Sequence, residues 1–292
     1  MRQGESHVIF RVLRLVTLLK RFKRKTGCYL LNQKRSLADN SAYLSFSHSE
    51  FPMKSDLYST YAKKYDLAIQ DNVYNAHLER PSLQAMLGDL MGLDVLDLGC
   101  GSGIYAEYLK QQSAQKITCI DIAEEMIAIV QAKMGDRVTA YAQDLSLGLP
   151  GEANESADVV VCPLVIHYLE NLEDFFCEVN RVLKPGGYIV FSTHHPFADF
   201  ECSLSGNYYE RELINDVWDT VGVPVKVAFY RRSLTEITRA ITGNGLVIEA
   251  LSEGAVSEKA QAICPETYNY LSRNPNFIFL KCCKPMVSQK KI

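Results

Sequence analysis

Between Val95 and Gly103 the chain reads Val-Leu-Asp-Leu-Gly-Cys-Gly-Ser-Gly, the run with the clearest chemical content. Glycines at 99, 101 and 103 adopt φ > 0 without steric cost and let backbone come close to a ligand. The turn opens onto a helix N-terminus, whose unpaired N–H groups and dipole favour a carboxylate or phosphate. Two acids extend the pattern. Asp121 stands 18 residues after Gly103, at a strand end suited to accepting hydrogen bonds from both hydroxyls of a ribose. Asp144 ends a further strand, where its carboxylate can accept from an exocyclic amine while Leu145 lies against a purine face. Asp97, inside the first strand, reads as an acid that organises the loop. The glycine order departs from a dinucleotide fingerprint, which wants Gly or Ala at position 104, where this chain has Ile104.

Three histidines offer proton chemistry. His167 follows one strand in Pro163-Leu-Val-Ile-His-Tyr168, and His194-His195-Pro196-Phe197 follows another. A neutral imidazole at such a strand end can take a proton from a hydroxyl or amine. A helix-capping histidine at 167 and a polar turn before Pro196 are the competing readings. No third ligand stands at a telling distance from the adjacent pair, so no metal is expected. Arg231-Arg232 can pair with an acidic substrate, but a solvated pair is the expectation.

These residues need elements to hold them. Apolar runs over 94–98, 117–120, 138–142, 158–162 and 188–193 read as strands. Helical spacing recurs over 56–67, 73–90 with a break at Pro81, 104–111, 124–134 and 172–183. Strands alternating with helices at this spacing specify a doubly wound α/β sheet. A helix over 233–241 and strands at 246–251 and 277–280 follow. The stretch 197–225 is polar, aromatic and irregular, and reads as an insertion; its Phe197, Phe200, Tyr208, Tyr209 and Trp218 fit a lid over an organic substrate.

Taken together, Val95–Gly103, Ile120-Asp121, Gln143-Asp144-Leu145, Asp158–Cys162 and Arg181-Val-Leu-Lys-Pro-Gly-Gly187 resemble the class I S-adenosylmethionine-dependent methyltransferases, in particular their small-molecule methylases. The resemblance runs from about Met53 to Lys284 and loosens after Thr193. It implies a Rossmann-like seven-stranded sheet ordered 3-2-1-4-5-7-6 with the last strand antiparallel. It implies S-adenosyl-L-methionine as cofactor: Gly99, Gly101 and Gly103 toward the methionine part, Asp121 at the ribose, Asp144 at the adenine, and Ile122 and Leu145 on either side of the ring, with Asp97 and Cys100 also counted among the binding residues. Tyr58, Tyr61 and Tyr65 match an N-terminal helix that covers the cofactor in this group, and Tyr65 is included among the binding residues. His195, His194 and His167 are the catalytic candidates on the acceptor side.

Composition bounds the partners. At 292 residues, 47% hydrophobic and 22% charged, the chain is ordinary globular material, neither collagen-like nor a disulfide scaffold. Nine cysteines without a C-x-x-C pair suit a reducing compartment, and a cytoplasmic location is expected. The net charge of −3 conceals an asymmetry: residues 1–35 carry ten Lys/Arg against one acid, Glu5, a net +9 that leaves −12 for the remainder. The apolar stretch from Val8 to Leu19 is interrupted by Arg11 and Arg14 and is too short to span a bilayer. Residues 1–52 are therefore expected to be a basic extension, disordered or not native, with Met53 a natural start for one domain over 53–292. A small-molecule methyl acceptor is the leading expectation, with no DNA substrate and no integral membrane association. The rivals are a tRNA or protein methyltransferase using the basic segment as an electrostatic arm, a nicotinamide-dependent reductase, and a cofactor-binding module without turnover.

Overall fold

The computed structural model describes residues 55–286; the expectations placed on residues 1–52 and on Met53 lie outside that range. Five strands, β1 (Asp94–Leu98), β2 (Lys116–Asp121), β3 (Thr139–Ala142), β4 (Ala157–Pro163) and β5 (Leu183–His194), pair in parallel. A separate antiparallel hairpin, β6 (Glu212–Trp218) and β7 (Val225–Arg231), follows. Then β8 (Val247–Ser252) and β9 (Phe277–Cys283) return to the main sheet, with β9 antiparallel to both β5 and β8. The order is β3-β2-β1-β4-β5-β9-β8, so the fold is the expected seven-stranded Rossmann-like sheet.

Side chains alternate between the two faces of a strand, and here each face meets its own helices. Leu96 and Leu98 of β1 join Val160, Ile189 and Phe191 against Phe176 and Val179 of the helix Leu172–Val182 and Ile237 and Ile241 of the helix Leu234–Gly243. Val95 lies on the opposite face with Val159, Val161 and Val190, packed on Leu83 and Leu87 of Arg80–Leu87, Leu109 of Ile104–Gln111 and Val130 of Glu124–Met134. Burial on both faces is why the central strands are almost wholly apolar. Asp97 shares the face of Val95. Connections from β1 run outward through β2 and β3 on one side and through β4 and β5 on the other, and this reversal opens a crevice at the carboxyl ends of β1 and β4.

Three stretches differ from the sequence reading. The region around Pro81 holds no break: a π turn over Asn75–Glu79 runs directly into Arg80–Leu87, with Pro81 in the first turn of that helix. Pro81 has no N–H to return, and the carbonyl of His77 accepts instead from Ser257 N–H at 2.7 Å. The 197–225 insertion is irregular only in its first part, because β6 begins at Glu212 and pairs with β7 up to Arg231. Two short helices, Lys259–Ile263 and Pro265–Leu271, occupy a stretch to which the apolar pattern assigns no element.

The expectation of a solvated Arg231-Arg232 pair is overturned, since both side chains are buried. Arg231 donates to Glu212 at 2.6 Å and to the backbone carbonyls of Asn207, Tyr208 and Glu210, fastening the insertion to its own hairpin. Arg232 donates to the carbonyls of Ile166, Leu169 and Glu170, satisfying the turn after β4. Burial pushes the Glu212 carboxyl up, but hydrogen bonds from Ser203, Ser205, Arg231 and Leu204 outweigh it and hold it at about 2. Removing the cation strands that carboxylate. Arg231→Met is expected to destabilise the protein by about 3 kcal/mol, read as a lowered urea midpoint; an unchanged midpoint would contradict the assigned role.

Candidate active site

The turn from β1 into the helix Ile104–Gln111 needs all three glycines in the left-handed region, with φ of 69° at Gly99, 52° at Gly101 and 83° at Gly103. Their surroundings separate their roles. A Cβ on Gly99 would sit 2.1 Å from Val165 Cγ2, so this glycine is where the β1 turn passes the turn after β4. A Cβ on Gly103 would meet Val130 at 3.1 Å, while one on Gly101 would meet nothing within 4 Å. Gly101 thus presents the open side of the loop.

Most loop N–H groups are already committed. Gly99 and Cys100 both donate to the carbonyl of Ile120, at 2.7 and 3.0 Å, and Gly103 donates to Cys100 O. Asp121, at the end of β2, accepts from Gly101 N–H at 2.9 Å and from Ala123 N–H at 2.8 Å. The loop therefore offers a close-approach surface more than a set of free donors. Cys100 contributes backbone only, because its thiol is buried beside Cys119. Asp97 is fully buried and neither carboxylate oxygen has a hydrogen-bond partner among the described residues. Burial pushes its carboxyl up to about 8, with Asp121 and Glu79 adding to the effect.

Beyond the loop, Ile122 is exposed just past the end of β2 and Leu145 is buried and packed with the core. Asp144 is half-buried and accepts from Ser146 N–H at 2.8 Å, capping the short turn Leu145–Leu147. The capping bond occupies one of its carboxylate oxygens.

A row of rings runs from this crevice across the ends of β4 and β5. Tyr65 packs edge-on against Tyr58 with centroids 5.0 Å apart, and Asp121 is close enough to both tyrosines to raise their phenols further after burial has raised them. Tyr58 and Tyr168 share a hydroxyl hydrogen bond of 2.7 Å. His167 neighbours Tyr168 and stacks on His194 at 3.9 Å between centroids. Phe229 and Trp218 of the hairpin close over His194 at 4.9 and 6.0 Å. The hairpin and the N-terminal segment form one unit here: Leu57, Tyr58, Tyr61 and Tyr65 pack with Val225 and Val227, and Ser55 donates to Lys226 O at 2.9 Å.

The three histidines occupy different settings. His167 is buried, 3.2 Å from the Thr193 hydroxyl, and burial, then His194 and Arg232, hold its pKa well below the usual imidazole range. His194 lies with Nδ1 3.4 Å from Asp199 Oδ1. His195 has both ring nitrogens engaged, Nδ1 accepting from Phe197 N–H at 3.1 Å and Nε2 lying 3.1 Å from Glu253. A small cleft is lined by His167, Thr193, His194, Asp199, Tyr230 and Arg232. Asp199 and Glu79 were not among the candidate residues: Asp199 sits in a stretch without pattern, and Glu79 lies in a π turn that periodicity reads as a plain helix.

Comparison with known proteins agrees with this geometry. The family described as a methyltransferase domain matches residues 96–191. An uncharacterised protein of Haemophilus influenzae is 24% identical over 233 residues, 72% of this chain and 88% of that one. A malonyl-[acyl-carrier protein] O-methyltransferase of Bacillus cereus is 29% identical over 160 residues, 53% of this chain, which thus spans 58% of that protein's length. The crystal structure of an S-adenosylmethionine-dependent methyltransferase from Mesorhizobium loti is 27% identical with a TM-score of 0.56, over 70% of this chain and 96% of that one. Residues 96–191 thus form a methyltransferase domain similar to the S-adenosylmethionine-dependent enzymes, and S-adenosyl-L-methionine is its cofactor.

The glycines give a paired prediction. Gly99→Ala forces a methyl into Val165 and is expected to unfold or strongly destabilise the protein. Gly101→Ala meets no neighbour and carries only the left-handed penalty of roughly 1–2 kcal/mol, yet it should weaken cofactor binding. Thermal melts set beside S-adenosylmethionine titrations check both; equal melting temperatures for the two variants would contradict the assignment.

Proposed function

We propose that the protein transfers the methyl group of S-adenosylmethionine to a small organic acceptor. The observation that carries this reading is the aromatic row from Tyr65 to Trp218, closed over by one unit of N-terminal segment and hairpin. Such an enclosure suits a compact, partly apolar molecule far better than a duplex or a folded protein. The malonyl-[acyl-carrier protein] O-methyltransferase among the relatives, named for transfer to oxygen, supports an oxygen acceptor. Among the described residues, no helix is long and apolar enough to cross a membrane.

The described residues fit the cofactor on their own chemistry. Asp97 is a buried acid whose carboxylate has no hydrogen-bond partner among the described residues, and the side of the loop at Gly101 is open. Asp97 and the Gly99–Gly103 loop would hold the methionine part, Asp121 the ribose hydroxyls, Ile122, Asp144 and Leu145 the adenine, and Tyr65 would cover it. When bound, the cofactor supplies a sulfonium methyl that is already electrophilic. The chain's main work is then orientation and exclusion of water, which can contribute several kcal/mol.

Proton removal adds to this where the acceptor is a hydroxyl or thiol. His194 is the favoured base of the three: Asp199 stands beside Nδ1 and can hold the imidazolium that forms, leaving Nε2 to take the proton. His167, stacked on it and held neutral, buttresses the ring without competing for charge. His195, clipped between Phe197 and Glu253, fixes the turn that positions His194.

Two measurements test these assignments. Asp121→Ala should weaken S-adenosylmethionine binding at least tenfold, about 1.4 kcal/mol, because it removes the ribose acceptor and releases Gly101 and Ala123 N–H; an unchanged dissociation constant would sink the ribose role. With an acceptor found by screening metabolites for S-adenosylhomocysteine release, His194→Ala should lower turnover by about 10²–10⁴ with cofactor affinity intact. His195→Ala should mainly lower the melting temperature. Turnover lost at His195 and kept at His194 would reverse the roles.

A further inference from the structure

The segment proposed to cover the cofactor is held at one end by an ion pair outside the residues assigned to the site. Its helix, Ala62–Ala68, is seven residues long, with no side-chain cap at its start and no basic residue in its last turn. A helix this short does not persist alone, so its place is set by what it rests on. Beneath it runs the helix Glu124–Met134, where Met126, Ile129 and Lys133 recur at helical spacing and so share a face. Tyr58, Ala62 and Tyr65 pack with Ala123, Met126 and Ile129. Val130, one residue further along, abuts Gly103. One helix thus carries the covering segment on one side and the glycine loop on the other.

Lys133 stands where the two meet. Its ammonium lies 2.7 Å from Asp66 Oδ1, donates to the Ser102 carbonyl at 3.2 Å and comes within 3.9 Å of Glu107. Ser102 sits between the left-handed Gly101 and Gly103, so its carbonyl belongs to the glycine turn itself. Asp66 lies in the last turn of its helix, where a negative charge opposes the helix dipole. Gln70 also donates to Asp66, at 3.3 Å, but as a neutral amide; Lys133 supplies the cation. The side chains of Lys133 and Asp66 are 26% and 17% exposed, which shields the pair from salt more than a solvated one.

We infer that Lys133 is a positioning residue for methyl transfer: by tying Asp66 to the glycine turn it keeps Tyr65 shut over the cofactor and slows cofactor exchange. The inference rests on the cofactor reading above. Asp66 directly follows Tyr65, so the tie acts next to the ring that must lift for the cofactor to pass. Every partner in the tie is a protein group. Closure is therefore favoured equally with the site empty or filled, and entry and exit are slowed alike. Loss of the tie speeds both and leaves affinity almost unchanged, whereas damage to the binding surface itself weakens affinity.

The test follows S-adenosylhomocysteine on the full chain by surface plasmon resonance at low salt. Lys133→Met keeps the aliphatic stem in place and removes the charge. Its association and dissociation rate constants should each rise about fivefold, the upper range for a partly exposed ion pair, while the dissociation constant moves less than about twofold. Asp66→Asn should do the same, and the double variant should be no faster than either single one, because both remove one interaction. Lys133→Arg keeps a donor for both partners and should return the rates to those of the unmodified protein. If Lys133→Met does not fold, Asp66→Asn and Lys133→Arg carry the comparison. Unchanged rate constants, additive effects in the double variant, or faster dissociation with unchanged association would each overturn the inference while leaving the cofactor reading in place. Failure of S-adenosylhomocysteine to bind the unmodified protein would overturn the cofactor reading and this inference with it.

Discussion

The carboxylate of Asp121 is the tie on which the site depends. One oxygen accepts from Gly101 and the other from Ala123, so the end of β2 grips the turn after β1 and sets the start of the next helix at once. Gly99 and Cys100 reinforce the grip by donating to Ile120. A strand-to-helix turn with left-handed glycines at three alternate positions is costly in backbone entropy and has little rigidity of its own. Anchored this way, it holds one surface open at Gly101 and keeps the next acid, Asp97, sealed beneath it. The site is pre-formed by backbone hydrogen bonds, which fits a protein whose chemistry is mainly placement.

A second constraint shapes the acceptor side. The ends of β4 and β5 carry polar turns that the sheet cannot satisfy, and other parts of the chain supply the missing partners. Arg232 reaches back from the end of the hairpin to three carbonyls after β4, and Arg231 ties the preceding loop to Glu212. Because the hairpin also packs with Leu57, Tyr58 and Tyr61, the roof over His194 is built from segments more than 150 residues apart.

Much of the fold was legible because its signals are local. A parallel sheet buried on both faces writes itself as apolar runs, and the glycines of Gly99–Gly103 that follow the first of them are required by backbone geometry; Pro185-Gly186-Gly187, which reads as the stop before β5, lies inside that strand. The strand ends proposed to hold the cofactor can be located in the sequence for the same reason: their positions follow from strand order. The acceptor side cannot, because its partners are set by tertiary contact. Nothing adjacent to Arg231 in sequence announces that Glu212 will bury it, and nothing near His195 tells that Phe197 and Glu253 occupy both its nitrogens while His194 faces Asp199. Glu79 was hidden by a π turn, a one-residue change of helical phase that periodicity averages away. The two short helices after β8 carry too few residues for a period to show.

The crevice at β1 and β4, on the proposed reading, is built for an adenosyl amino acid and not for a dinucleotide. Side-by-side calorimetric titration of the full chain with S-adenosylhomocysteine and with NADH tests it most directly. Saturable one-to-one binding of S-adenosylhomocysteine is expected, with no measurable heat from NADH at the same concentrations. Binding of NADH, or silence with S-adenosylhomocysteine, would contradict it.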